Sequence, residues 1–279
     1  AVDVITSVLH LRDNPSVDFI VRDLRLPTAV AGSAVGVALG ISGLLFQRLL
    51  GNPLASPDFV GVSSGASLFA VSAIVLLDAS STVISGSALL GALLSASLIY
   101  VLAWRDGISG YRFILIGIGI SQLMLSLVGY IVAHASIYEA REAMTWLVGT
   151  VGQAGSGELR TLLVALTILL PLVLVLERPL RALELGDDTA RALGARVELN
   201  RFGLIAVAIV LIGFAVAVAG PIMFVALVAG PIAQRLVGRG AGGIAAAGCV
   251  GAIITLGADL VAHQLLPTDL PTGVITGLV

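Results

Sequence analysis

Few side chains in this 279-residue chain could do covalent chemistry, and their spacing argues against an active site. The three histidines stand apart at positions 10, 134 and 263, with no HExxH zinc pattern and no GxSxG nucleophile elbow. The single cysteine, Cys249, lies in an apolar run. It excludes an intrachain disulfide and a cysteine-rich metal site, and its plainest role is small packing. All fifteen basic residues are arginine, so no GxxxxGK[ST] phosphate loop can exist and the chain does not hydrolyse ATP by itself. No catalytic residue, metal ligand set or resident cofactor is expected. Setting aside Ser, Thr, aromatic residues and the arginines and Gln234 near run ends, the polar side chains within the apolar runs are Gln47, Gln122 and Asp259, with His134 and His263 near run ends. Intramembrane charge is costly and kept for function, so a chain this poor in it is a weak candidate for coupling to an ion gradient.

Composition says what must hold these residues. The chain is 58% hydrophobic and only 11% charged, with a mean hydropathy of +1.08. Soluble domains carry about 25% charged residues. Uncharged stretches of about 18–20 residues recur, the length that crosses a bilayer, and they do not alternate as barrel strands would. The expected fold is all-α: a polytopic helical membrane bundle, one domain over 1–279. Nine spans are drawn, at 28–49, 60–77, 85–104, 112–133, 159–176, 202–219, 221–236, 242–262 and from 271 on. Gly and Pro break the seventh. The start at Ala1 and the stop inside an apolar run at Val279 suggest a longer natural protein with a further helix ahead of Ala1. Taking loops alternately, ten arginines fall on one side and five on the other. The richer side is cytoplasmic by the positive-inside rule. The net charge of -2 disfavours nucleic acid as a partner.

Between the first two spans the chain reads GNPLASPDFVGVSSGAS, a loop of Asn, Pro and Asp followed by a Gly/Ser run. Gly32, Gly36 and Gly40 stand four apart, and Gly61 and Gly65 repeat that spacing, which lets helix backbones approach closely. The Gly/Ser run reads either as a buried packing seam or as a helix start lining a wet pathway through Ser63, Ser64 and Ser67. The fourth span offers a mixed face through Gln122, Met124 and Ser126, again as lining or as ordinary packing. On the outer side, SIYEAREAMTWLVG at 136–149 reads as an amphipathic surface helix with Trp146 as interfacial anchor, or as that helix plus a contact surface.

Residues 179–200, PLRALELGDDTARALGARVELN, mix charge with apolar residues at helical spacing. Asp187 and Asp188 open a short helix, where acids suit the dipole. The segment is either a solvated linker or a docking element for a cytoplasmic protein.

From here the whole sequence resembles the FecCD type of ABC-importer permease, the family for iron-siderophores, haem and vitamin B12. The resemblance rests on six stretches in order: RLP at 25–27, SGLLFQRLLGNPLASPDFVGVSSGAS at 42–67, WLVGTVG at 146–152, LELGDDTARALGARV at 183–197, AGPIMFVALVAGPIAQRLVG at 219–238 and GADLVAHQLLPTDLPTGVITG at 257–277. It implies a ten-helix permease fold, with the first helix absent here and the last truncated. It also implies a second permease subunit, two ATPase subunits that bind ATP and Mg, and an extracytoplasmic binding protein that delivers the cargo. The setting is the bacterial plasma membrane. On this resemblance Leu185, Gly186, Asp187, Asp188, Ala190, Arg191, Leu193 and Gly194 form the coupling helices for the ATPase. Arg25, Glu139, Arg141, Glu142 and His263 dock the binding protein. Ser63, Ser64, Ser67, Gln122, Met124, Ser126, Met223 and Phe224 lie along the solute path, and Ser109 and Gly110 form a cytoplasmic gate.

The departures are informative. Where the family often has a second Arg in RxPR, this chain has Thr28; a third common Arg is His263, and APHIAR reads AGPIAQR. The expectation is one half of a heterodimer whose partner carries the missing arginines, as in catecholate-siderophore importers, with a homodimer of altered docking as the alternative. The expected cargo is a ferric siderophore, with vitamin B12 or haem second and an ion-driven transporter third.

Overall fold

Glycine spacing decides how the longest contact in the bundle forms. The computed structural model describes residues 18–58, 61–105, 107, 110–238, 243–265 and 270–278. A π-helical turn, Phe19–Arg25, runs directly into α1, Leu26–Leu50, with Pro27 in its first turn, where a missing N–H costs nothing. Gly36 of α1 faces Gly251 of α10, Gly243–Leu260. A Cβ at Gly36 would collide with the Gly251 carbonyl and lie 2.6 Å from the Ala252 Cα. Gly40 meets the Ala247 carbonyl in the same way. The two backbones touch because neither carries a side chain there, which is how helices gain packing energy in lipid.

The remaining helices follow in chain order: α2, Val62–Leu77; α3, Ser81–Ala103; α4, Gly110–His134; α5, Ile137–Val148; α6, Ser156–Leu183; α7, Asp187–Ala192; α8, Val197–Ala219; α9, Val225–Val237; and, after α10, α11, Thr272–Thr276. The described residues form no strand. Each expected span finds a helix. Among the described residues, six helical segments are long and apolar enough to cross a membrane, while α2 and α9 are apolar but shorter. The second glycine pair closes α2 on α3: a Cβ at Gly65 would strike Ser95, and one at Gly91 would strike the Gly65 carbonyl. The core is correspondingly small-residued, with Ala38, Ala66, Ala88, Ala92 and Ala226 fully enclosed.

Four boundaries differ from the sequence reading by four residues or more; α3 starts at Ser81 rather than 85 and α8 at Val197 rather than 202. The fifth span, drawn to 176, continues to Leu183, so Pro179–Leu183 is the last turn and a half of a membrane helix. The Glu177–Arg181 pair, 2.7 Å apart at i,i+4, supports that continuation across Pro179. The seventh span loses its first turn. Gly220 to Met223 are not helical, and Phe224, which precedes α9, has φ +66, a left-handed conformation for a bulky residue. Such a residue stores about 1–2 kcal/mol.

That break lies inside the bundle. Ala226 touches Gly43 of α1, where a Cβ would meet the Ala226 Cα at 2.9 Å. Gly43 is seven residues, or about 10 Å, short of the end of α1 at Leu50. The helix α9 is therefore a half-helix, starting at depth and running to the arginine-rich end.

Substituting Leu at Gly36 should separate α1 from α10 and lower stability by several kcal/mol, about the size of other overpacking changes or more. Thermal unfolding of the detergent-purified chain measures it, and Gly86→Leu, at a glycine with open space beside it, is the control.

Candidate functional site

Two clusters of polar side chains sit at opposite ends of the bundle. The arginine-rich end is built on ion pairs. Glu184 caps the C-terminus of α6 and takes a two-pronged grip from Arg48 near the end of α1, Nε to Oε1 at 2.6 Å and Nη2 to Oε2 at 2.9 Å. Three residues on, Asp187 accepts from Arg201 of α8 at 2.6 Å, and Arg201 also reaches Glu198 at 3.3 Å. Arg48 and Arg201 are mostly buried while the carboxylates they hold are a third or more exposed, so these charge-assisted bonds are only partly shielded from the water that weakens surface pairs. The Asp188–Arg191 pair at 3.2 Å is exposed and contributes little to stability.

The coupling segment expected from the sequence thus hangs on a frame. Gly186, φ +92, and Gly194, φ +82, bracket α7 in conformations that favour glycine. Ala190 is buried, while Leu185 and Leu193 are 61% and 66% exposed, together with Asp188 and Arg191. Frame and helix border a cavity of about 550 Å³ lined by Gln47, Arg48, Asn52, Glu184, Asp187 and Arg201 among others.

Next to it lies the loop that runs from Gly51 to Asp58. Asn52 Oδ1 accepts from the Leu54 N–H, and Leu54 stands 72% exposed. Asp58 is bonded by Ser63 at 2.7 Å and Ser56 at 3.3 Å. Burial pushes its carboxyl above the usual carboxylate range, and the two serine hydroxyls pull it part of the way back.

The pathway residues divide. Ser63, Ser64, Ser67 and Met124 are buried inside the chain. Ser63 bonds Asp58, Ser64 bonds the Gly61 carbonyl at 3.1 Å and approaches the Met124 sulfur at 4.0 Å. Ser95 bonds that same carbonyl at 2.6 Å, so this face is a packing seam within the chain. Gln122 and Ser126 lie on the exposed side of α4, opposite its buried stripe Phe113, Gly117, Ser121, Met124 and Val128. Met223 and Phe224 are exposed at the helix break. Of the expected gate, Gly110 opens α4 against Leu50, and Ser109 lies outside the described residues.

The outer end is sewn together by backbone. Thr150 N–H donates to the Ala219 carbonyl at 2.7 Å and Gly273 N–H to the Gly149 carbonyl at 3.0 Å. Gly149 and Gly220, both at positive φ, pack where a Cβ would come within 2.6 Å of a neighbouring carbonyl. Above this crossing, a cavity of about 450 Å³ is lined by Tyr138, Arg141, Glu142, Trp146 and Glu158, among others. Arg25, Arg141 and Glu142 are exposed. Glu139 is spent on the cap of α5, its carboxylate accepting from the Ser136 N–H at 2.8 Å while the Ser136 hydroxyl accepts from the Glu139 N–H at 3.3 Å. His263 is half-buried beside Asp259, which also accepts from Thr272 at 3.0 Å.

Sequence reasoning missed Arg48, Glu184 and Arg201 as a frame, and missed any task for Gln47. Arg48 and Glu184 are 136 positions apart and leave no local signal. Gln47 did leave one: Pro231, four residues past Leu227, frees the carbonyl that Gln47 reaches at 2.8 Å.

Comparison with known proteins agrees with this geometry along the whole chain. A family model described as the FecCD transport family matches residues 2–279. The chain is 39% identical over 262 residues to the ferric enterobactin transport system permease protein FepG of Escherichia coli (strain K12), covering 94% of this chain and 79% of that one. It is 39% identical over 259 residues to the achromobactin transport system permease protein CbrC of Dickeya dadantii (strain 3937), covering 91% and 74%. Among solved structures, an inward-facing conformation of a metal-chelate type ABC transporter superposes with a TM-score of 0.89 at 26% identity, over 99% of this chain and 92% of that one.

A raised pKa in the folded state means the folded chain holds a proton that the unfolded chain releases. Stability should therefore fall as pH climbs from the ordinary carboxylate range into the raised one. Asp58→Asn should flatten that dependence, read as thermal midpoint against pH for the two purified proteins.

Proposed function

We propose that this chain, which belongs to the FecCD transport family, imports ferric siderophores as one permease half of a heterodimer in the bacterial plasma membrane. At the coarser level it is an ABC-importer permease of the siderophore and iron type, a multi-pass membrane protein and not itself an enzyme. Catecholate cargo is favoured by the name of FepG and by the missing arginines at Thr28 and His263.

The observation that carries the reading is the presentation of α7. Asp188 and the flanking Leu185 and Leu193 project from the arginine-rich end, while Glu184 and Asp187 at its root are clamped to α1 and α8. A linker would not need such anchoring. An ATPase subunit that closes on ATP and Mg would displace α7 as a handle, and the clamps would pass that displacement into the helices. Arg25, Arg141 and Glu142, with the outer cavity, suit a binding protein that carries charge of both signs; Glu139 and His263 serve by shaping that surface. The solute would pass the exposed Met223, Phe224, Gln122 and Ser126 on the face turned to the second permease subunit. Ser63, Ser64, Ser67 and Met124 support that wall from behind, with the gate at Gly110 and Ser109.

Purifying the complex from its native membrane and identifying its subunits and iron by mass spectrometry tests the assembly. A distinct second permease chain with ATPase subunits is expected; copies of this chain alone would remove the heterodimer, and no ATPase would remove the importer. Within that complex, Asp187→Arg should abolish uptake of radio-iron supplied in spent iron-poor medium while membrane levels stay unchanged. Undiminished uptake would retire the handle.

A further inference from the structure

Proline at 231 removes the N–H that would have closed a helical hydrogen bond onto the Leu227 carbonyl. That carbonyl is not left empty. Gln47 of α1, 4% exposed, donates its Nε2 to it at 2.8 Å across 180 residues of sequence. The fit is made for this side chain. A methyl group at Gly230 would collide with Gln47 Oε1, so the glycine before the proline opens the space the carboxamide fills. Oε1 has no donor among the described residues, so the amide's hydrogen bonding is given to α9 alone. The next residue along α1 is Arg48, whose two-pronged grip holds Glu184 at the root of the coupling segment.

We infer that Gln47 is a positioning residue for transport. It ties the half-helix α9 to α1, so that displacement taken up by Arg48 at the coupling segment moves the Met223–Phe224 break. This rests on the importer reading above. The tie crosses two helices, which separates it from mere satisfaction of a stray carbonyl. In Gln47→Met the volume is kept and the tie is lost. In Gln47→Met with Pro231→Ala, residue 231 recovers its own N–H and closes the Leu227 bond within α9, yet α1 and α9 remain untied.

Two readouts are taken on the full chain: hydrogen exchange of the 225–237 peptide, and cellular uptake of radio-iron equilibrated with spent iron-poor medium, at matched membrane levels. Gln47→Met should speed exchange and reduce uptake about tenfold, the size of an ordinary coupling between sites. The double variant should recover slow exchange and still fail to take up iron. Wild-type uptake in Gln47→Met, or uptake that returns together with exchange in the double variant, overturns the inference. If a strain lacking the gene takes up iron normally, the import reading falls instead. The tie is then judged on exchange alone, with unchanged exchange in Gln47→Met counting against it.

Discussion

A backbone carbonyl or amide inside a hydrocarbon-thick bundle has no water to turn to, and this constraint organises the chain more than any single charge does. Continuous helices meet it without help. The places where the helix is interrupted must be met by something else, and those are the places where the structure becomes specific. At 221–223 the chain runs outside either helix and is held by Thr150 and Gly149 at the top and by α1 below. At 231 a ring nitrogen withdraws its donor, and a side chain from another helix replaces it. At Gly61, before α2, two serine hydroxyls close on one carbonyl.

Charge works at the ends of the same helices. The pair Arg48–Glu184 and the trio Asp187, Arg201 and Glu198, linked by the short stretch of chain from Glu184 to Asp187, form a set that joins α1, the end of α6, α7 and the start of α8. Because the arginines are buried along their stems, this set resists dissolving into water and behaves as a joint. A six-residue helix would otherwise have no standing of its own; isolated helices of that length do not form in water. Its position is given by the frame and by two glycines at positive φ. That is what a contact point for a moving partner requires: a stiff root and an exposed tip.

The fold was legible in the sequence because apolar length and glycine spacing are local signals. The nine spans, the surface helix at 136–149 and the α1 glycine face could all be read from nearest neighbours along the chain, whereas the Ser136–Glu139 cap was not. The site was legible only in outline. Exposed Leu185 and Leu193 carry the periodicity that marked a docking element, but Arg48 and Arg201 looked like two of ten arginines in cytoplasmic loops. The Gly/Ser run offered two readings with the same composition, and only the approach of Ser95 and Gly91 decides that its hydroxyls are turned inward. Long-range pairing is where single-sequence reasoning loses its grip, since Gln47 and Leu227 owe nothing to each other until the chain has folded.

The seam between Gly36 and Gly251 has one more implication. Backbones in direct contact leave no room for one helix to roll over the other, so α1 and α10 must swing as a single plank. A push arriving at the inner edge through Arg48 would therefore be delivered at the far edge, where Asp259 secures Thr272 and the start of α11. In the proposed importer, the surface offered to the binding protein and the surface offered to the ATPase would then be the two ends of one lever.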